Sequence, residues 1–473
     1  MANRYITTTL PYVNADPHVG FGLEIVQADF LARYWRLTGE DVFFTTGTDE
    51  HGQKIFQKAQ EEGKDVQAYV DHYANEFKKL KEALNLSNDA FIRTTDEKHI
   101  NAAQEIWKRC EANGDIYKKK YKGLYCVGDE AFLKENELVD GKCPNHPTMD
   151  PVEIEEENYF FKFSNYQDKL LKYLENEEVI IPDWRRKEAI EFVKNGLEDF
   201  SISREKERLS WGVPVPGDDS QVMYVWFDAL TNYISTLDWP EGEHFKKYWE
   251  NAHVLQVAGK DQVRFQSLIF QAMLLSANVK NTDQVFYHGF ITSNGQKMSK
   301  SIGNVISPYE LIEKYGTDAT RYLLLRHVHP VDDSDITWEK LDEWYTANLV
   351  NGIGNLTARI TKLAETHLEG PIEKPDAETF PSEYTSAIDN FKFNEALDYI
   401  FKRVGDLDKR ITDEEPFKVV KTDLEKGREL IKEYMEELYV IGRLLNPVMP
   451  ESSNIIKESV LKNTKPEGLF QRL

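Results

Sequence analysis

The stretch "RYITTTLPYVNADPHVGFGLEIVQADFLARYWRLTGEDVFFTT", residues 4–46, indicates the fold class. It begins with β-branched and apolar residues that are typical of a strand, and "PYVNADP" interrupts them. From residue 18 the apolar side chains recur at three- and four-residue spacing, which predicts a helix that ends at Gly39. "DVFFTT" is then typical of a buried strand. Strand, helix and strand with short links predict a right-handed parallel unit.

A second set of the same kind lies much later in the chain. "HVLQVAG" (253–259), "FQSLIFQAMLLSA" (265–277) and "QVFYHGF" (284–290) again read as strand, helix and strand. The two sets together predict one α/β sheet that is split by an insertion at about residues 116–222. From about residue 340 the pattern is almost wholly helical, which predicts a helical bundle appended to the α/β domain.

Composition limits the class of protein. The 473 residues carry a formal net charge of −23 and are 41% hydrophobic, which predicts a folded protein of two or three domains. The N-terminus lacks the pattern of a signal peptide, and no apolar run is long enough to span a membrane. The odd cysteine count (Cys110, Cys126 and Cys143) favours a reducing cytoplasm. The acidic balance disfavours a nonspecific nucleic-acid coat protein, but it allows a nucleic-acid partner held by a local basic face.

Two short motifs point to phosphate chemistry. In "PHVGFG" (17–22), His18 and Gly20 lie where a helix follows the carboxyl end of a strand, a place that attracts phosphate. In "NGQKMSKSIGN" (294–304), Lys297 and Lys300 stand among small residues that let a loop close over a ligand. Each motif alone has a plain alternative, since the histidine could be a cap or a packed side chain and the lysine loop a solvated turn.

Together the two motifs resemble the signatures of the class I aminoacyl-tRNA synthetases. Further stretches, such as "TTLPYVNADPHVG", "FFTTGTDEHGQKI", "EDFSISREKERLSWGVPVP" and "YVWFDALTNY", resemble the methionyl-tRNA synthetases from about residue 4 to the C-terminal helices. The resemblance implies that L-methionine is activated with ATP and Mg²⁺ to methionyl-adenylate, with release of pyrophosphate. Methionine is then transferred to the 3′-terminal adenosine of tRNA(Met).

The resemblance also implies a domain plan. A Rossmann-like parallel-sheet catalytic domain is split by a connective-peptide insertion and followed by an all-α anticodon-binding helical bundle. The expected ranges are 1–115 and 223–325 for the two catalytic halves, 116–222 for the insertion, 326–345 for a linker that contacts the tRNA stem, and 346–473 for the bundle. The insertion leaves no room for the large editing domains of valyl, isoleucyl and leucyl enzymes. We expect a cytoplasmic monomer without a C-terminal dimerisation extension, a membrane contact or an obligate protein partner.

The resemblance assigns roles to individual residues. The catalytic group is His18, Lys297 and Lys300. Residues expected around ATP are His18, Gly20, Glu24, Gly259, Asp261, Lys297 and Lys300. Residues expected around methionine are Leu10, Tyr12, Asp49, Trp226, Leu230, Tyr233, Gln262 and Gln266. Asp49 would pair with the substrate ammonium group, and the apolar walls suit a thioether. The lysines would stabilise charge on the leaving pyrophosphate. Anticodon readers are Asn355, Arg359 and Phe417.

Several positions depart from the family pattern. Phe21 replaces the second histidine of the first signature, Gln262 and Gln266 replace an aliphatic residue and a histidine, and Phe417 replaces a tryptophan. The expected zinc ligands of the insertion are Cys126, Asp129, Cys143 and His146, with aspartate in place of the family's second cysteine. Two readings stay open here: a bound Zn²⁺, or a metal-free knuckle held by packing.

Three rival functions are compatible with parts of the pattern. A small-molecule nucleotidyltransferase could share both signature loops, but it would not need the helical region that carries Asn355, Arg359 and Phe417. A non-catalytic tRNA-binding relative is favoured only by Phe21. A cysteinyl-type synthetase would need a zinc beside its active site, whereas the cysteine cluster here lies in the insertion.

Overall fold

The computed structural model describes residues 2–128, 131–133, 135–144, 146–298, 304–375 and 379–473. The chain forms two compact units. The first comprises Met1–Pro17, Thr38–Lys81 and Ser87–Tyr287. The second comprises His18–Leu37, Glu82–Leu86 and His288–Leu473.

The strands in the described ranges are short, with two longer ones in the insertion. In chain order they are β1 (Asn3–Thr8), β2 (Asp41–Thr48), β3 (Ala90–Arg93), β4 (Ile116–Cys126), β5 (Ala131–Leu133), β6 (Val152–Phe161), β7 (Ile180–Ile181), β8 (Phe200–Ser201), β9 (Ser203–Glu205), β10 (Pro214–Val215), β11 (Asp218–Met223), β12 (His253–Gly259), β13 (Gln284–His288), β14 (Ile291–Ser293), β15 (Gln296–Lys297) and β16 (Ser334–Asp335).

The α-helices lie between these strands and fill most of the C-terminal part. They are α1 (Val19–Leu37), α2 (Gln53–Glu61), α3 (Val66–Ala83), α4 (Glu97–Ala112), α5 (Gln167–Tyr173), α6 (Asp183–Lys194), α7 (Val225–Ala229), α8 (Asn232–Ser235), α9 (Glu243–Phe245), α10 (Phe270–Ser276), α11 (Pro308–Tyr315), α12 (Thr317–His327), α13 (Trp338–Trp344), α14 (Asn355–His367), α15 (Ser382–Asp389), α16 (Phe393–Glu414), α17 (Pro416–Thr422), α18 (Leu424–Leu444) and α19 (Pro450–Lys462). Short 3-10 segments are Glu135–Glu137, Phe163–Tyr166 and Lys260–Gln262, and π-helical segments are Lys246–Glu250, Phe265–Ile269 and Tyr345–Gly354.

The first unit is built on a six-stranded sheet in the order β3-β2-β1-β12-β13-β7. Strand β1 pairs in parallel with β2 on one side and with β12 on the other, where Arg4 faces His253. The sheet therefore combines strands from both ends of the unit, and the predicted split parallel sheet is confirmed. The helix expected over residues 265–277 is present, but its first turn is π-helical and α10 begins only at Phe270.

The insertion carries its own antiparallel sheet, in the order β5-β4-β6-β8. Lysines of "YKKKYK" on β4 face glutamates of "EIEEEN" on β6, as in the pairs Lys120–Glu157 and Lys122–Glu155. Opposite charges directly across a sheet stabilise the pairing and fix its register. Strand β7 comes from within residues 116–222 but joins the six-stranded sheet beside β13. The predicted domain boundaries stay predictions.

The core of the first unit is rich in aromatic side chains. Trp107 on α4 is fully buried and makes edge contacts with Tyr159 and Phe227, at ring-centroid distances of 5.3 and 5.7 Å. Trp249 and Tyr5 belong to the same buried cluster. Because α4 contributes several members of this cluster, it is a rigid support for the side chains that project from it.

The second unit is mainly helical, and the helices predicted from about residue 340 onward are present in it. Helices α16 and α18 each bury one apolar stripe, while the opposite faces carry charged residues. Helix α1 belongs to this unit, and its Phe30 packs edge-on against Phe393 of α16 at 5.4 Å. None of the helices in the described parts of the chain is both long and apolar enough to cross a lipid bilayer.

A buried guanidinium joins four segments of the second unit. Arg321 on α12 is fully buried and donates to Asp29 Oδ2 of α1 at 2.7 Å. It also donates to three backbone carbonyls, those of Leu84, Pro447 and Val448, at 2.8–3.0 Å. Asp29 Oδ2 also accepts from Arg33 Nε at 2.7 Å. Removal of the Arg321 side chain would therefore leave three buried carbonyls without this donor and Asp29 with one guanidinium partner instead of two.

We therefore expect Arg321→Met to lower the free energy of unfolding by roughly 3–5 kcal/mol, because three buried carbonyls lose a charged donor and Asp29 keeps only Arg33 as a partner. Urea denaturation followed by circular dichroism measures this. Arg410→Met is the control, since Arg410 pairs with Glu433 at a solvent-exposed site where such pairs contribute about 0–1 kcal/mol. Equal losses in the two variants would contradict the prediction.

Candidate active site

The end of β2 lies beside the segment that follows β1. Tyr12 and Asp49 form a parallel bridge, and the Asp49 amide donates to the Pro11 carbonyl at 3.0 Å. The Asp49 side chain is buried. Two residues that the resemblance assigns to methionine are thus held next to each other by backbone hydrogen bonds.

Glu50 fixes the chain on the other side of Asp49. Its carboxylate accepts from Thr48 Oγ1 at 2.7 Å and from Arg93 Nε at 2.6 Å. Its backbone carbonyl accepts from Trp211 Nε1 at 2.6 Å. Because Glu50 is fully buried and bonded in several directions, the position of Asp49 is set by the fold and not by a mobile loop.

An aromatic group stands close to Tyr12. Trp226 stacks on Phe265 with a centroid distance of 3.9 Å and meets Tyr12 edge-on at 6.1 Å. Tyr233 is buried, and its hydroxyl accepts from Gln266 Nε2 at 2.5 Å. The structure thus brings most of the predicted methionine residues into one part of the first unit.

The remaining predicted residues of this unit lie in three places: at the end of α7, after β1, and at the end of β12. Leu230 is buried in the same apolar cluster, and Leu10 is partly buried. Gly259 ends β12, and the 3-10 turn that follows exposes Asp261. The Gln262 amide donates to Asp261 Oδ2 at 3.1 Å, so it contacts a residue predicted for ATP.

Sequence analysis missed a buried polar network in this unit. Asp228 is fully buried, and its carboxylate contacts His51 Nδ1 and His99 Nε2, each at 2.7 Å. His99 Nδ1 lies 2.9 Å from Ser235 Oγ. Burial raises the pKa of Asp228, but the two histidines outweigh it and hold the pKa below its ordinary value. The only signal in the sequence was that Asp228 and His51 lie inside motifs quoted for the family.

In the second unit, His18 precedes the first turn of α1 and is exposed. The Gly20 amide donates to His18 Nδ1 at 3.1 Å. A ring nitrogen that accepts carries no proton, so the neutral ring has its proton on Nε2 and presents a donor. A Cβ at position 20 would lie 2.9 Å from Cε1 of His18, so a larger residue there would displace the imidazole from this position.

Two further residues of the first signature point inward. Glu24 is buried and contacts His288 Nε2 at 3.0 Å, while His288 Nδ1 lies 2.8 Å from the Gly289 carbonyl. Phe21 is also buried.

The lysine motif follows a two-residue hairpin. Asn294 and Gly295 have φ values of 55° and 71°, as in the turns that match the twist of paired strands. Asp335 holds this turn by accepting from the Gly295 amide at 2.7 Å and from Thr292 Oγ1 at 3.1 Å. Lys340 contacts its other oxygen at 3.2 Å. The Gly295 hydrogen bond, supported by Lys340 and Thr292, lowers the pKa of Asp335.

Only part of the motif can be placed. The backbone of Lys297 pairs with Thr292 on β14. Lys300 lies outside the described residues. The geometry thus defines the base of the predicted catalytic loop and the carboxylate that anchors it.

Three predicted metal ligands converge in the insertion. Cys126 Sγ and Cys143 Sγ lie 3.8 and 4.0 Å from His146 Nδ1, and the three donor atoms all lie within 4.8 Å of one another. A Cβ at Gly128 would lie 2.4 Å from the His146 ring, so glycine makes room for the imidazole. Two sulfurs and one nitrogen suit tetrahedral Zn²⁺. Asp129, the predicted fourth ligand, lies outside the described residues.

The three predicted anticodon readers line one open cavity of about 530 Å³ in the second unit. Phe417 is 44% exposed there, and the Arg359 guanidinium pairs with Asp408. The cavity is also lined by Lys362 and Lys465, which sequence analysis missed. Lys465 follows α19 and is far from the other members in the chain, so no local spacing could connect it with them.

Comparison with known proteins identifies the family. Residues 4–151 and 148–361 match the family described as tRNA synthetases class I (M). The chain belongs to this family of class I tRNA synthetases. The prediction of family and fold class is confirmed.

Relatives of this class I family match over nearly the whole chain. The methionine–tRNA ligase of Thermotoga maritima is 40% identical over 98% of this chain and 76% of its own length. That of Brucella suis biovar 1 is 41% identical over 95% of this chain and 90% of its own. The Mycobacterium tuberculosis methionyl-tRNA synthetase in complex with methionyl-adenylate is 38% identical, with a TM-score of 0.89, over 96% of this chain and 93% of that one. The roles of individual residues stay predictions.

The Asp335 contact generates a prediction about the loop of this class I enzyme. In Asp335→Ala the Gly295 amide loses its acceptor, so we expect its hydrogen exchange to speed up by about tenfold or more. Asp335→Asn should change it less, because an amide oxygen still accepts. Hydrogen–deuterium exchange by mass spectrometry over residues 290–298 measures this.

The control is Asp342→Ala, which removes a carboxylate that binds Lys314 and Tyr315 in the same unit and does not touch the turn.

The lowered pKa of Asp335 also determines how hydrogen exchange in the turn depends on pH. The contribution of Asp335 is present above its unfolded pKa of about 4 and is lost only as the pH falls through the lower folded value. Faster exchange at pH 6 than at pH 8, after correction for intrinsic rates, would contradict this assignment.

Proposed function

We propose that this chain is a methionine–tRNA ligase, which activates L-methionine with ATP and transfers it to the 3′-terminal adenosine of tRNA(Met). The observation that carries the proposal is the likeness, over nearly the whole of this chain, to relatives of that name. The juxtaposition of Asp49, Tyr12 and the Trp226–Phe265 pair supports the choice of amino acid.

In this proposal the amino acid lies between a carboxylate and aromatic rings. Asp49 receives the substrate ammonium group, which suits a buried acidic side chain. Trp226 and Tyr12 contact the thioether, since sulfur packs well against ring edges. Leu230, Tyr233 and Gln266 form the rest of the wall, and the glutamine amide fixes the tyrosine hydroxyl. The pocket therefore recognises a long apolar side chain more than any single polar atom.

Activation needs no protein nucleophile. The methionine carboxylate attacks the α-phosphorus of ATP, the bond to the β-phosphate oxygen breaks, and pyrophosphate leaves with the accompanying Mg²⁺. His18 donates from Nε2 to a phosphate oxygen, and Lys297 and Lys300 stabilise the charge that develops on the leaving group. Gly20, Glu24, Gly259 and Asp261 complete the predicted ATP site. A hydroxyl of the terminal adenosine then attacks the methionyl carbonyl, and AMP leaves.

The RNA and metal sites complete the proposal. Phe417 offers an exposed ring on which an unpaired base can stack, with Asn355 and Arg359 beside it. Cys126, Cys143 and His146, together with Asp129, would hold a structural Zn²⁺ that closes the knuckle. A monomeric state and a cytoplasmic location stay predictions.

The first test is ATP–pyrophosphate exchange with each standard amino acid in turn. We expect exchange with methionine alone. Lys297→Ala and Lys300→Ala should each reduce the exchange rate about 10²–10³-fold, because a charge that stabilises the leaving group is lost. Lys314→Ala removes a lysine of the same unit that pairs with Asp342, and it should leave the exchange rate unchanged.

Exchange with a different amino acid would mean that Gln262 and Gln266 have changed the pocket. Absence of exchange with every amino acid would overturn the proposed activity.

The metal site is tested by elemental analysis of the purified chain. We expect about one zinc per chain, and its loss in Cys143→Ala because a tetrahedral site with one thiolate removed binds far more weakly. Cys110→Ala is the matched control, since Cys110 is equally buried but contacts the Met273 carbonyl instead of the cluster. Zinc-free protein with unchanged thermal stability would support the metal-free knuckle.

A further inference from the structure

A buried carboxylate in the first unit has no role in the proposed chemistry. Asp228 is fully buried, and each of its oxygens contacts one imidazole at 2.7 Å. An ionised side chain in the interior is destabilising unless it is paired and hydrogen-bonded. This arrangement therefore needs an explanation beyond packing.

The network connects the two segments that would hold the substrate. Asp228 lies on α7, two residues after Trp226 and two before Leu230. His51 follows Asp49 by two residues at the end of β2. One carboxylate thus joins the segment of the predicted ammonium partner to the helix of the predicted thioether wall. The two histidines are far from Asp228 in the chain, with separations of 177 and 129 residues.

Helix α7 is too short to position itself. It has five residues, and no side chain caps its N-terminus. Helices of this length are marginal on their own, so their placement comes from tertiary contacts. His99 supplies such a contact from α4, which is anchored in the aromatic core through Trp107. His99 on α4 thus holds Asp228 on α7, and Asp228 in turn holds His51.

We infer that Asp228, acting through His51 and His99, is a positioning residue that sets the spacing between Asp49 and Trp226 and thereby the affinity for methionine. The inference rests on the proposed function, because it takes Asp49 and Trp226 as the amino-acid site. A displacement of about 1 Å in a site of this kind changes rates by up to about 10²-fold. The predicted ATP residues are not members of the network, so its effect is selective for the amino acid.

The test uses the full-length chain and measures KM for methionine and for ATP in pyrophosphate exchange. In Asp228→Asn we expect the methionine KM to rise about tenfold, while the ATP KM stays within about twofold. The asparagine is isosteric, but only its oxygen can accept, so one imidazole loses its acceptor and the other keeps a weaker, neutral hydrogen bond. His51→Leu is the second variant, which removes the contact of Asp228 with the Asp49 segment, along with an edge contact to Trp211, and keeps the His99 contact; it should give the same selective change.

The matched control is Asp115→Asn. Asp115 is a buried carboxylate of the same unit that binds Tyr166 and Ser276 and takes no part in the network. The KM values of the Asp115→Asn variant for methionine and for ATP should both stay within about twofold of those of the unmodified chain, even if the melting temperature of the variant falls.

The outcomes separate positioning from plain stability. A selective rise in the methionine KM in either variant supports the inference. A lower active fraction with both KM values unchanged overturns it, because Asp228 would then only stabilise the fold. A parallel rise in both KM values also overturns it. If the unmodified chain shows no methionine-dependent exchange, the proposed function itself fails, which is visible before any variant is made.

Discussion

The second unit depends on the buried contact between Arg321 and Asp29. One guanidinium satisfies a carboxylate and three backbone carbonyls from separate segments, so α1, α12, residues 82–86 and the turn before α19 share one anchor. Helix α1 is a single rigid rod of 19 residues. The orientation of its first turn, which contains Gly20 and directly follows His18, therefore follows from where Asp29 is held. A polar contact in the interior thus determines the placement of a surface histidine.

The sequence was a good guide to the elements and a poor guide to the buried polar contacts. Apolar periodicity located α1 and the strands on either side of it. An element that buries one face repeats its apolar residues at its own structural period, and that repeat is visible in the sequence. The sequence did not reveal the Asp29–Arg321 and Asp228–His99 contacts, because the partners lie 292 and 129 residues apart and no local pattern connects them. Glu24 shows the same limit: a family motif suggested ATP, whereas its buried contact with His288 is visible only in the fold.

Charge is distributed in a way that composition alone could not show. In a chain of net charge −23, several cations near the predicted sites already have acidic partners. Arg359 pairs with Asp408, Lys362 with Glu365, and Lys340 with Asp335. A phosphate that approaches Arg359 or Lys362 must compete with a carboxylate, which weakens indiscriminate binding of nucleic acid and leaves selectivity to a ligand of the right shape.

The pairing of β1 with β12 has a consequence for biosynthesis. Arg4 faces His253, so the centre of the main sheet joins segments about 250 residues apart. At about 5–20 residues per second on the ribosome, β1 waits on the order of 10–50 seconds for its neighbour. During that time β1 and β2 can pair, but the apolar edge that β12 will cover stays open. The nascent chain is therefore at its greatest risk of aggregation while the insertion is being translated, and a chaperone that covers this edge would act in that interval.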